Sequence, residues 1–254
     1  MGGTLKRELF DRYLPKRKIG YLAPLPVIDI AAHQCSQLLP RDIMLVTVPM
    51  GLQEFNPNDV ERVLASLEEK LALLTDRGVD LVIQAGVPLP ILMGLAYHDE
   101  LIARIEKITE KPAISQVMAI VASATSLGMR NIALANKWTD QMNHTLGLFF
   151  RRAGIQIAGV NSRSMEPSQF ITLNNEDSLA LAYELGCGAF AQHPDADGLY
   201  IGGGQWFTLP LVELLEKEFG KPVITNESAT IWHACHLIDY WKPMQGYGQL
   251  MQCE

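Results

Sequence analysis

The groups in this 254-residue chain that could do chemistry on a small anion are few, and they gather behind short apolar runs. Glu227 follows directly on Val223-Ile224-Thr225 and opens a helix-forming stretch. A carboxylate desolvated there by Trp206 and Trp232 would have its pKa raised toward neutrality and could give or take a proton. The competing assignment is a cap: Asn226 or Glu227 can satisfy the first amides of the helix that follows, where negative charge is favourable. Two glycine-bearing loops stand in comparable places, Ala85-Gly86-Val87-Pro88 and Gly202-Gly203-Gly204-Gln205. Lacking a Cβ, glycine lets backbone approach a ligand closely and turns N–H groups toward it. Gln84, Gln205, Asn136 and Asn161 lie at or near strand ends and suit the fixing of carboxylate or carbonyl oxygens without added charge. Pro24, in Pro24-Leu25-Pro26, stops any helix from starting and sets an extended loop that should line the same site.

Other titratable groups fit structural roles better. Glu54 is either a solvated loop carboxylate or a pocket group. His233 lies about two turns into the last helical stretch, where a packed histidine is expected. His193-Pro194-Asp195-Ala196-Asp197 has metal-ligand composition but enters a strand at the end of the sheet away from ligands, so it reads as a solvated turn. Cys35, Cys187, Cys235 and Cys253 have no CxxC spacing and lie outside the glycine loops. They are expected to be reduced thiols, with no metal site and no disulfide frame.

The elements that must position these groups alternate strand and helix. Apolar runs at 18–23, 43–48, 80–85 and 113–115 read as strands, and so do 132–135, 155–160, 199–201 and 223–225. Helical patterns fill 97–108, 116–127, 139–153, 176–191 and 228–240, and one long helix capped by Asn58 or Asp59 is expected through Leu64, Leu67, Leu71 and Leu74 to Gly78. The second set of strands echoes the first at offsets of about 110 to 118 residues, and Lys111-Pro112-Ala113-Ile114-Ser115 returns as Lys221-Pro222-Val223-Ile224-Thr225. The chain therefore reads as a duplicated α/β unit, each copy a parallel sheet with helices on both faces and ligands outside the carboxyl ends of its strands.

Lys and Arg number 21 against 28 Asp and Glu, a net charge of −7. No basic stripe exists to displace counterions from a phosphate backbone or an anionic bilayer, so neither nucleic acid nor membrane is an expected partner. The start of the chain has no apolar signal core and no window approaches the ~18 apolar residues of a membrane span, which reads as cytoplasmic. A small molecule is the expected partner, and a homo-oligomer is compatible with the sequence.

The two glycine loops, together with the tail from Lys221 to Trp232 and the terminal Gly246-Tyr247-Gly248-Gln249-Leu250, resemble the aspartate/glutamate racemase superfamily, in particular its branch of arylmalonate decarboxylases and maleate cis-trans isomerases. The resemblance spans about Ile19 to Leu250. It implies two flavodoxin-like parallel-sheet domains related by a pseudo-twofold axis, residues 18–115 with 226–254 and residues 116–225, and one site between them that takes a small carboxylate without cofactor or metal. Family members place a cysteine in one or both glycine loops, because a tuned thiol can move a proton near neutral pH. The matching positions here are Gly86 and Gly203, so thiol-based proton transfer is excluded. The hydroxyl pair that follows the first glycine in the decarboxylases is Val87 and Pro88, and their tyrosine after the fifth strand is Trp138. Amides of Gly203, Gly204 and Gln205 remain to hold an oxyanion, and the resemblance places Pro24, Asn136 and Asn226 around the same substrate.

The leading expectation is a lyase of the decarboxylase type or an isomerase, with Glu227 replacing the thiols. The alternatives are a hydrolase or hydratase using Glu227 and a water, and a metabolite-binding paralogue without activity.

Overall fold

The chain's structure, a computed structural model, describes residues 2–254, with side chains from residue 6 onward. Helix α1 (Gly2–Tyr13) precedes the duplicated region. The first copy then runs β1 (Arg17–Ala23), α2 (Ile30–Leu38), β2 (Ile43–Pro49), α3 (Pro57–Leu64), α4 (Leu67–Asp76), β3 (Leu81–Gln84), α5 (Pro88–Met93), α6 (Leu95–Thr109), β4 (Ala113–Ser115) and α7 (Gln116–Ser126). The second repeats it as β5 (Asn131–Asn136), α8 (Asp140–Arg152), β6 (Gln156–Ser162), α9 (Pro167–Phe170), α10 (Asn175–Gln192), β7 (Gly198–Ile201), a 3-10 turn at Leu209–Leu211, α11 (Val212–Phe219), β8 (Val223–Thr225) and α12 (Asn226–Leu237).

Each copy forms its own four-stranded parallel sheet, in the order β2-β1-β3-β4 and β6-β5-β7-β8. β3 and β7 are buried throughout, which is why they read as unbroken apolar runs rather than as alternation. The copies agree in detail: the Asp80 carboxylate accepts the Lys18 N–H beneath the first sheet, and the Asp197 carboxylate accepts those of Arg130 and Asn131 beneath the second. Asp197 thus ties down a strand start. Where the copies meet, α12 packs along α7 and α2, and α7 along α8.

Two local expectations fail. The helix expected over 58–78 is broken at Ala65-Ser66 into α3 and α4, and its first turn is capped by Asn56, whose Oδ1 accepts the Asp59 N–H, with Pro57 at the first helical position. Leu64, Leu67, Leu71 and Leu74 are all buried on both sides of the break, so the apolar spacing carried no sign of it. The cap of α12 is Thr225, whose hydroxyl accepts the Ser228 N–H, and Asn226 and Glu227 lie inside the first turn. No described helix is long and apolar enough to cross a membrane.

Candidate active site

The carboxyl ends of the two sheets face each other across a small cavity of about 50 Å3. The first copy contributes Tyr21, Pro24 and Gly86; the second contributes Lys137, Trp138, Phe170 and the Gly203-Gly204-Gln205 loop. At roughly 10–15 Å3 for each water-sized centre, the space admits only a few such probes, so it suits a small ligand.

The floor is a hydrogen-bonded bridge between the two glycine loops. Gln116, first residue after β4, accepts the Gly86 N–H through Oε1 at 2.9 Å. Asn226, its counterpart after β8, accepts the Gly203 N–H through Oδ1 at 3.1 Å and the Tyr200 hydroxyl at 2.6 Å. The two amides then meet at the symmetry axis, where Asn226 Nδ2 donates to Gln116 Oε1 at 2.9 Å. The bridge holds both loops in register, and it also consumes the amide that each would otherwise turn toward an oxyanion. Those of Gly204 and Gln205 have no protein acceptor among the described residues.

Above this bridge sits a buried ion-forming pair. Lys137 follows β5, is 2% exposed, and is the one charged side chain in the cavity wall among the described residues. Its Nζ has no hydrogen-bond partner and lies over two aromatic faces, 4.1 Å from the Phe170 centroid and 4.3 Å from that of Trp206. Burial lowers its pKa from the ordinary 10.5 to about 7, with the Glu227 charge pulling the other way. Glu227 is fully buried one layer behind Gly204: its Oε1 lies 3.2 Å from the point where a Cβ on Gly204 would stand. Burial raises its pKa from 4.5 to about 8, against the opposing pull of its own amide, Lys137 and the Thr208 hydroxyl. None of these gives either carboxylate oxygen a well-formed hydrogen bond, and Thr208 Oγ1 and Trp206 Nε1 are likewise unpartnered.

Of the residues singled out from sequence, Pro24, Gly86, Trp138, Gly203, Gly204, Gln205 and Asn226 all border the cavity. Gln205 spends its side chain on the other half, accepting from the Ala31 N–H and donating to Asp29. Val87, Asn136 and Glu227 stand outside the wall. Val87 is buried at the start of α5. Asn136 shapes the turn that presents Lys137, its Oδ1 accepting the Trp138 N–H and its Nδ2 donating to Asn143. Asn161 donates to the Leu185 carbonyl, and Gln84 Nε2 to those of Ala85 and Gly86. Glu54 is exposed, and Trp232 packs against His233 and His236. Sequence reasoning passed over Lys137 and Gln116. The available signal for Lys137 was a lone lysine at the carboxyl end of a parallel strand, directly before Trp138.

Both glycine loops are sterically closed to a side chain. A Cβ on Gly86, at φ +87°, would lie 2.3 Å from Pro24 Cγ, and one on Gly203, at φ +137°, would lie 2.6 Å from Trp206 Nε1 and 3.2 Å from Lys137 Nζ. Gly86→Ala is therefore expected to cost about 2–5 kcal/mol from strain and overpacking. Urea unfolding measures this, with Pro24→Gly restoring part of the loss. A Gly86→Ala variant as stable as the parent would show that the loop does not close on Pro24.

A family model described as Arylmalonate decarboxylase matches residues 19–251. An arylmalonate decarboxylase of Bordetella bronchiseptica is 26% identical over 233 residues, covering 91% of this chain and 95% of that protein. Among solved structures, a liganded double variant of arylmalonate decarboxylase superposes with a TM-score of 0.82 at 24% identity, covering 92% of this chain and 98% of that one. A maleate isomerase variant from Pseudomonas putida, with maleate, gives 0.81 at 17% identity, covering 93% and 98%.

Proposed function

The chain belongs to the arylmalonate decarboxylase family, and on that footing we propose that it is a cofactor-independent lyase of the decarboxylase type, acting on a small carboxylate in the cavity between the sheets. Proton transfer in this reading is the work of the buried Lys137–Glu227 pair. The observation that carries it is the position of Lys137 Nζ, 3.2 Å from where a Cβ on Gly203 would stand. Gly203 matches a cysteine position of the family, so the amine fills the space into which a thiol would project. With a pKa brought to about 7 it can exchange a proton at neutral pH, which is the property a thiol contributes. Loss of the loop cysteine is thereby matched by a second titratable group arriving from β5. The amides of Gly204 and Gln205, which have no protein acceptor among the described residues, are the donors that this reading assigns to the carboxylate, and the small cavity favours an acid without an aryl group. The alternative with Glu227 and a water as a hydrolytic base has less support, because it leaves the unpartnered Lys137 amine in the cavity wall without a role.

The test is CO2 release from malonate, methylmalonate and phenylmalonate, measured before and after treatment of the protein with iodoacetamide. Turnover of a small malonate should survive alkylation, since none of the four cysteines lines the cavity and burial pushes every one of their thiols upward. Ligand-protected inactivation by the reagent would place the chemistry on a thiol, and an absence of CO2 from these three acids and from small 3-oxo acids alike would reject the decarboxylase reading.

A further inference from the structure

Decarboxylation leaves an electron pair on carbon, and with the Gly204 and Gln205 amides assigned to the carboxylate, the wall of this cavity offers little else to receive it through hydrogen bonds. The Gly86 and Gly203 amides are engaged by Gln116 and Asn226, Val87 has no hydroxyl and Pro88 has no N–H. What the wall does offer is an amine. Lys137 Nζ is unpartnered, lies over the rings of Phe170 and Trp206, and borders the cavity beside Gly203, where the loop lacks a side chain.

We propose that Lys137 receives the electrons covalently, forming an imine with the carbonyl of a small 3-oxo acid, which names the substrate class of the decarboxylase. The inference rests on that reading of the cavity. Nζ as the free amine adds to the ketone carbon, and the carbonyl oxygen departs as water, carrying one amine hydrogen and one proton taken from solvent, to leave an iminium. The C–CO2 bond then breaks into the iminium, giving an enamine and CO2. The enamine carbon takes the proton of the Glu227 carboxyl, whose Oε1 faces the gap left by the missing Cβ of Gly204. Water hydrolyses the resulting iminium, releasing the ketone and the amine and returning a proton to Glu227. The overall change is 3-oxo acid to ketone and CO2, with no oxidant or reductant. A lysine in apolar surroundings is activated for this addition because its neutral form is populated near pH 7.

The experiment incubates the intact protein with acetoacetate, 3-oxopentanoate or oxaloacetate, measures CO2 release above the uncatalysed rate, and in a parallel sample adds sodium borohydride and locates adducts by peptide mass spectrometry. The expected result is a reductively trapped group on the peptide carrying Lys137. At pH 7 it should form roughly 10²–10³-fold faster there than on surface lysines, which are almost wholly protonated at that pH. Lys137→Met should abolish the adduct, and mapping in the parent chain locates it independently of that variant. Adducts confined to surface lysines, or none with any of the three acids, overturn the imine. If malonates are nevertheless decarboxylated, the imine alone has failed; if neither acid class releases CO2, the decarboxylase reading has failed with it.

Discussion

Lys137→Met lowers kcat for decarboxylation by ~10²–10⁴-fold, the range expected when a group that moves a proton at the reacting atom is removed, and leaves the fold intact. Methionine has nearly the length of lysine, and the site is already apolar: Nζ rests on Phe170 and Trp206 and has no hydrogen bond to lose. Glu227 is not stranded as a charge either, because burial raises its pKa to about 8 and loss of the neighbouring cation raises it further. The companion Glu227→Gln keeps shape and removes the titratable group, so it should lose roughly 10²-fold or more in kcat. That loss could not be ascribed to a missing helix cap, since Thr225 fills that role. Steady-state kinetics with circular dichroism on both variants checks the pair. Turnover of Lys137→Met at the parent rate would remove the amine from the mechanism and send the search for a proton donor to Tyr21 or a water.

The double variant Lys137→Met/Glu227→Gln is expected to be more stable than the parent by ~1–4 kcal/mol near pH 7–8, as when neutral groups replace a buried ionisable pair. The sign follows from each group in turn. Glu227 titrates at about 8 folded against 4.5 ordinarily, so its contribution is full below pH 4.5 and is lost as pH rises through about 8, when a buried carboxyl must ionise. Lys137 titrates at about 7 against 10.5, so its contribution is full above pH 10.5 and is lost as pH falls through about 7, when a buried amine must take a proton. Between those limits the folded chain carries the pair at its least favourable. The gain in the double variant should therefore be widest at pH 7–8 and narrow toward about pH 5 on one side and about pH 10 on the other. Denaturant unfolding of both proteins at three pH values measures it. A gap that stays flat with pH, or a double variant weaker than the parent throughout, would mean that Lys137 and Glu227 are a net stabilising ion pair.

Much of this protein was determined locally. Apolar runs such as Leu81-Val82-Ile83 and Leu199-Tyr200-Ile201, each ending in glycine, specify buried parallel strands that deliver backbone to a ligand, and their repetition specifies two like sheets. The matching of Ser115-Gln116 with Thr225-Asn226 is also visible along the chain, as are the glycines where a side chain is absent. Tertiary structure alone decided what those positions do. Gln116 and Asn226 lie far apart in sequence and meet only because α7 and α12 pack against each other at the axis, and that meeting withdraws two amides from the oxyanion role the loops suggest. Lys137 is the sharper case. A lysine after a strand ordinarily reaches water, and nothing in Ala135-Asn136-Lys137-Trp138 forbids it. Its chemistry comes from Phe170 and Trp206, whose rings cover the amine, and from Glu227, whose charge opposes the fall in its pKa, three residues from separate elements. Desolvation depends on everything that surrounds a group, so it is set by packing and has no signature in local spacing.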